Sequence, residues 1–224
     1  MRHTIEGTIY AALSECFKEP SEEFAEDIAS GRLEEVIKEG LSQLNIPVPG
    51  EMLMSLHLTK EHGFKDDIIS VYEKLKADYH SLFFPLYVVP VESVYKEWSK
   101  TDEVSGAMKG EKGFIMGDPA VEMINRYRMA GIEIPQTYKD IPDHIAILLE
   151  YASLLCENIK REDRASFVSG HLDWVTELHN DIYKYSESNF YRAVADITVA
   201  FIQYERANSM TINQVGIAHP TSIS

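Results

Sequence analysis

The sequence predicts an all-α protein, a single-domain helical bundle with one long irregular loop. Three observations carry this expectation. Apolar residues recur three and four places apart through most of the chain, the spacing that lines one face of a helix. Starts and stops stand where those runs begin and end: serine ahead of acids, proline in first turns, glycine after last turns. Period-two alternation of useful length is missing, and "LYVVPV", the one candidate for extended chain, is interrupted by Pro90.

The elements follow in order. Ile5, Ile9, Leu13, Cys16 and Phe17 form the first helical stripe, which Pro20 stops. "SEEFAEDIASG" opens with a capping serine, places two acids in its first turn where the helix dipole favours them, and closes on glycine. After the proline-rich loop "NIPVPG", residues 52–60 are expected to be helical. Asp66 or Asp67 then caps a longer helix carrying Ile68, Ile69, Tyr72, Leu75, Tyr79, Leu82 and Phe83. Residues 84–117 lose the periodicity, apart from a short helical piece at 93–99. A long irregular stretch inside a domain is usually functional or mobile.

Asp118 is expected to cap the next helix, with Pro119 at its first position and Gly131 after its end. Residues 145–159 form a helix that is apolar nearly all round, as befits the middle of a bundle. Phe167, His171, Trp174, Val175, Leu178, Ile182 and Tyr185 read as one further helix, and Phe190, Val194, Ile197, Phe201 and Tyr204 as the last. The domain is expected to span residues 1–207, followed by a flexible tail over 208–224.

Composition excludes several classes. With 224 residues, 45% of them hydrophobic, the chain can fill a substantial core. The formal charge of -15 argues against nucleic-acid binding, which needs clustered Lys and Arg, and favours basic partners. Much of the excess lies early, with ten acids against four basic residues before residue 47. The N-terminal stretch has no long apolar segment, and no run of apolar residues is long enough for stable membrane insertion. The two cysteines, Cys16 and Cys156, stand far apart and fit buried thiols in a reducing compartment, so a cytoplasmic location is expected.

Catalytic signatures are missing. No histidine has an acid three residues before it, as a di-iron bundle requires, and no H-E-x-x-H or phosphate-loop pattern occurs. No metal and no cofactor is expected. The stretch "KDIPDHIAILLEYASLL" is the one that invites a function, because Pro142, Asp143 and His144 stand at the mouth of an apolar helix. They read either as an ordinary helix start or as a polar site at the rim of a bundle. An enzyme using Asp143 and His144 as an acid–base pair, or a nucleotide hydrolase, is the competing class.

Several segments taken together resemble the TorD/DmsD/NarJ family of cytoplasmic redox-enzyme maturation chaperones. "DIPDH" resembles that family's E-x-P-D-H signature, with Asp140 where the family has Glu. "DYHSLF" resembles its aromatic-x-x-Leu-Phe element through Tyr79, Leu82 and Phe83. "VPVESVYKEW" resembles its Pro-x-Glu-Ser-x-Tyr element through Pro90, Glu92, Ser93 and Tyr95. "FVSGHLDWVTELHNDI" and "NFYRAVADITVAFI" resemble its last helices, with Phe167, His171, Leu172, Trp174, Phe190 and Tyr191 in place.

The resemblance implies a TorD-like bundle, no enzymatic activity, and a partner consisting of the twin-arginine leader peptide and apo-form of a molybdopterin-type or other complex redox enzyme subunit. Such a chaperone holds the subunit until its cofactor is inserted. A receptor for a basic head and an apolar stretch needs carboxylates beside a hydrophobic groove. Asp143, with Asp140 and Glu92 in second place, is expected to take the arginines. Tyr79, Leu82, Phe83 and Tyr87 are expected to supply the apolar wall, with Pro142 and Ser93 in the same motifs. His144 is expected to orient a carboxylate or donate to the peptide, while His171 and Trp174 are expected mainly to pack. A helical scaffold without signal-peptide affinity remains the other reading of the same fold. The long loop would also permit a homodimer formed by element exchange.

Overall fold

The computed structural model describes residues 4–58, 68–84, 87–100, 110–158 and 161–215. Among them are eleven α-helices and no strand. In chain order these are α1 (Ile5–Cys16), α2 (Glu22–Ala29), α3 (Arg32–Gln43), α4 (Gly50–Met54), α5 (Ile68–Phe83), α6 (Glu92–Tyr95), α7 (Asp118–Met129), α8 (Ile145–Asn158), α9 (Arg161–His171), α10 (Val175–Tyr185) and α11 (Asn189–Val215). The chain is therefore all-α, as its periodicity predicts.

Helix α8 is the axis. It is buried through most of its length and lies along α1, with α9 on another side. Two side-chain bonds fasten α1 to it: Ser14 Oγ donates to the Ala146 carbonyl at 2.8 Å, and Ser153 Oγ donates to the Gly7 carbonyl at 2.8 Å. On its other flank α1 meets α3 at Gly40, where a Cβ would come within 2.8 Å of Ile9, so only glycine lets the two helices approach. Tyr10, Phe17, Phe167, Trp174, Phe190, Tyr191 and Phe201 fill the interior.

Starts and stops explain the boundaries. Thr4 caps α1 by accepting from Gly7 N at 3.0 Å, and Ser21 caps α2 by accepting from Phe24 N at 3.1 Å. Several details differ from expectation. Helix α3 has a stripe of only three buried apolar residues, Leu33, Ile37 and Leu41, in acidic surroundings, and the periodicity reading passed over it. The segment expected to be one helix from Phe167 to Tyr185 is two, α9 and α10, broken where Trp174 Nε1 donates to the His171 carbonyl at 2.8 Å. Asp118 is the first residue of α7 rather than its cap, and its carboxylate accepts from Lys100 N at 3.0 Å instead. The short helix expected at residues 93–99 is α6, which ends at Tyr95 because Lys96 is extended. Helix α11 runs to Val215, past residue 208 where a tail was expected to begin. The expected cap at Asp66 or Asp67 lies outside the described residues.

Residues 110–116 are exposed and form no helix, whereas residues 145–149 are all buried. Amide hydrogen exchange should therefore be much faster in 110–116 than in 147–155. Equal protection of the two would contradict this architecture.

Candidate functional site

Three segments far apart in sequence meet in front of α8. The first is residues 89–95, which begin extended and end in α6. Pro90 accepts from Ile145 N at 2.8 Å, and Glu92 N donates to the Asp143 carbonyl at 3.0 Å, so Val91 and His144 form a single antiparallel bridge. The second is residues 141–145, leading into α8. The third is residues 110–117. It is held by Gly113 N donating to the Val94 carbonyl at 2.9 Å and by Trp98 Nε1 donating to the Ile115 carbonyl at 3.0 Å. Met116 holds a left-handed φ of 60°, and a Cβ on Gly117 would meet the Trp98 carbonyl oxygen at 2.6 Å, so the end of this loop is tightly constrained.

Asp143 ties the three together. It has no exposed surface; its Oδ2 accepts from Ser93 N at 2.7 Å and from Ser93 Oγ. Ser93 Oγ in turn accepts from Gly117 N at 3.1 Å. Burial raises the Asp143 carboxyl above the usual carboxylate range, the two bonds from Ser93 pull it down in part, and nearby Glu92 adds to the rise. Its other oxygen, Oδ1, is buried without a partner among the described residues.

His144 is the cap of α8. Its carbonyl accepts from Leu148 N at 3.0 Å and its Nδ1 accepts from Ala146 N at 3.1 Å, which places the ring proton on Nε2. Burial drops this imidazole to about 3, so it is neutral in the physiological range. The Tyr138 ring packs against it, tilted by 46° with ring centroids 5.0 Å apart.

In front of this framework lies an open apolar groove of about 520 Å³. Tyr79 and Phe83 of α5, with Phe84 just past its end, form one wall and Gly113, Phe114 and Ile115 the other. Val89, Pro90, Val91, Val94, Ile141 and His144 complete the lining. Phe84 is 70% exposed, Phe114 43% and Ile115 47%, so large apolar side chains face water around one concavity.

The sequence-predicted residues divide accordingly. Tyr79, Phe83 and His144 line the groove. Leu82 does not; it is buried in the core, one helical step away. Tyr87 is exposed and stacks on Tyr185 at 5.5 Å, outside the lining. Pro142 is buried and Asp140 exposed. Asp143 and Glu92, expected to take the arginines, are both buried, and each accepts from donors inside the fold.

Glu92 sits in a buried ionic cluster. Its Oε1 accepts from Lys96 Nζ at 2.7 Å and its Oε2 lies 2.9 Å from His171 Nδ1. The other ring nitrogen of His171 is 3.1 Å from Glu122 on α7. Trp174 packs as expected, stacked on Tyr95 at 5.0 Å, whereas His171 also bridges two carboxylates. Sequence reasoning missed Phe84, Phe114 and Ile115. The apolar "FIM" between two glycines of a polar loop was the available signal for the last two.

No group of His, Cys, Asp and Glu suited to a metal occurs among the described residues, and no described helix is long and apolar enough to cross a membrane.

Residues 70–186 match the family described as nitrate reductase delta subunit. The chain is also 22% identical over 204 residues to the chaperone protein TorD of Shewanella pealeana, an alignment covering 89% of this chain and 87% of that protein. The chain belongs to the TorD/NarJ chaperone family. Shorter alignments reach the TorD chaperones of Colwellia psychrerythraea, 24% identical over 105 residues, and Salmonella schwarzengrund, 29% identical over 84 residues. These cover 46% and 34% of this chain and 44% and 40% of those proteins. As a TorD/NarJ member the protein is a redox-enzyme maturation chaperone and not an enzyme. The whole groove lining, Tyr79 to His144, lies inside the matched region.

Proposed function

We propose that this chaperone is cytoplasmic and binds the twin-arginine leader of a redox enzyme subunit, with the leader's apolar stretch in the groove between α5 and residues 113–115. It then holds the subunit until the cofactor is in place. The observation that carries this reading is the solvent-open apolar concavity, built from family-motif residues Tyr79, Phe83, Pro90 and His144. A folded protein gains nothing from exposing Phe84, Phe114 and Ile115 together unless a partner covers them. The neutral imidazole of His144 supplies one polar group on the lining, able to donate from Nε2 to a peptide carbonyl.

The test is calorimetric titration with a synthetic leader peptide. Phe114→Ser should weaken binding by about 1–3 kcal/mol, the range for truncating an aromatic anchor, while leaving the urea midpoint nearly unchanged because the ring is exposed. A leader that binds the wild type and Phe114→Ser equally well does not use this groove. A leader that binds neither leaves a helical scaffold without peptide affinity.

A further inference from the structure

The segment between α6 and α7, which carries the loop wall of the groove, is fastened at its base by one histidine. His171, the last residue of α9, is buried. Its Nδ1 lies 2.9 Å from Oε2 of Glu92, the first residue of α6, and its Nε2 lies 3.1 Å from Oε1 of Glu122 in α7. Glu92 precedes the segment in the chain and Glu122 follows it. One ring therefore ties both flanks of the loop to α9.

The geometry also fixes the protons on that ring. An ionised carboxylate only accepts, so a nitrogen facing one must donate, and a neutral imidazole has a single N–H. Both nitrogens of His171 face carboxylates, and only the imidazolium satisfies both. The surrounding charges agree. Glu92 and Lys96 come from α6 and the residue after it, Glu122 and Arg126 from α7, and Asp173 from the turn after α9. Three carboxylates against two cations leave one negative charge, which the imidazolium cancels. From the start of α8, Asp143 feels the Glu92 charge but holds Ser93 instead. The ring face is covered by Phe167, 5.1 Å away and packed in turn on Tyr151 of α8.

The two contacts are not equally replaceable. Glu92 is buried and bound to Lys96, whereas 53% of the Glu122 side chain is exposed. Burial alone would raise the Glu122 carboxyl, but the bonds from Arg126 and then His171 hold it below the usual carboxylate range. A ring with one proton keeps it toward Glu92, because Glu122 can turn to water and Glu92 cannot. Nε2 would then face Glu122 lone pair to lone pair. Helix α7, which carries Glu122, begins at Asp118, whose N–H donates to the Trp98 carbonyl at 2.7 Å. Trp98 Nε1 donates in turn to the Ile115 carbonyl at 3.0 Å, so the seat of α7 is passed to the loop wall.

We infer that His171 is a positioning residue for the groove: its doubly protonated ring clamps α7 to α6 and seats the wall of Phe114 and Ile115, and loss of one proton frees the α7 side. The inference concerns the wall itself and holds whatever segment the groove takes.

The full chain labelled with 15N in histidine and tryptophan gives both readouts by NMR, with the Trp98 indole assigned by its loss in Trp98→Phe. At about pH 5 both His171 nitrogens should carry protons. As pH rises, the ring should lose the proton on Nε2, and the Trp98 indole N–H resonance should shift with the same midpoint. His171→Gln, which cannot donate from two opposite ends, should place that resonance at the wild type's high-pH position at every pH. Glu122→Ala tests the clamp where the fold tolerates the change, since that side chain is half in water, and should abolish the Trp98 shift. A ring with a single proton throughout overturns the inference, as does a Trp98 resonance that ignores the ring or still follows it in Glu122→Ala. A ring that keeps both protons up to the alkaline limit of the fold is a fixed ion, and overturns the release.

Discussion

Glu92→Ala is expected to destabilise the protein by about 3–5 kcal/mol, the cost of removing one partner from a buried ionic cluster. Glu92 is 1% exposed and stands between Lys96 and His171, each within 2.9 Å of one of its oxygens. Without it, the Lys96 ammonium keeps only Asp173 and the Gly170 carbonyl, and the buried His171 ring loses the carboxylate on its Nδ1 side. Burial works against the Lys96 charge, and Glu92 is the largest influence that restores it. Urea unfolding measures the loss. Glu92→Gln should cost less, since one amide oxygen can still accept from Lys96. On the proposed function, leader binding should fall as well, because Glu92 opens α6, the helix whose Val94 carbonyl holds Gly113. A cost below about 1 kcal/mol for Glu92→Ala would mean that the cluster is solvated and contributes no more than an exposed pair.

The legibility of the chain follows from how local each signal is. Helices α1, α2 and α8 were readable because spacing, cap and breaker agree within one segment, as in Ser21 ahead of Glu22 and Glu23. Helix α3 was not, because three apolar residues in twelve leave little stripe to detect. The break between α9 and α10 was hidden for the opposite reason. Leu172, Trp174 and Val175 are all buried and keep a helical rhythm across a turn made by tertiary contacts. The site shows the same division. "PDH" announced that something polar stands at the start of α8, but whether Asp143 faces water depends on residues 93 and 117, which sequence spacing cannot place beside it. Phe114 and Ile115 belong to a loop, where no period reveals a face.

Asp143 separates supporting the groove from touching the leader. Asp143→Ala should cost about 2–4 kcal/mol, because two buried donors, Ser93 N–H and Ser93 Oγ–H, lose a charged acceptor. Leader affinity should fall with it, since Ser93 Oγ also fixes Gly117 at the end of the loop wall. Asp143→Asn keeps one oxygen for both donors and should fall between wild type and Asp143→Ala. The pH dependence gives an independent reading. The folded carboxyl is raised above its unfolded value of about 3.9. The native state therefore holds its proton over a window where the unfolded state has lost it, and stability from this group is lost as pH climbs through that window. Wild type should be strongest relative to Asp143→Asn at acid pH and lose ground as pH rises toward neutrality. Urea midpoints for both proteins across that range test the sign. Parallel curves would mean that burial does not disfavour the charge. If Asp143→Asn instead abolished leader binding with no change in midpoint at any pH, the carboxylate would have to contact the leader directly, and its role beneath the groove would be wrong.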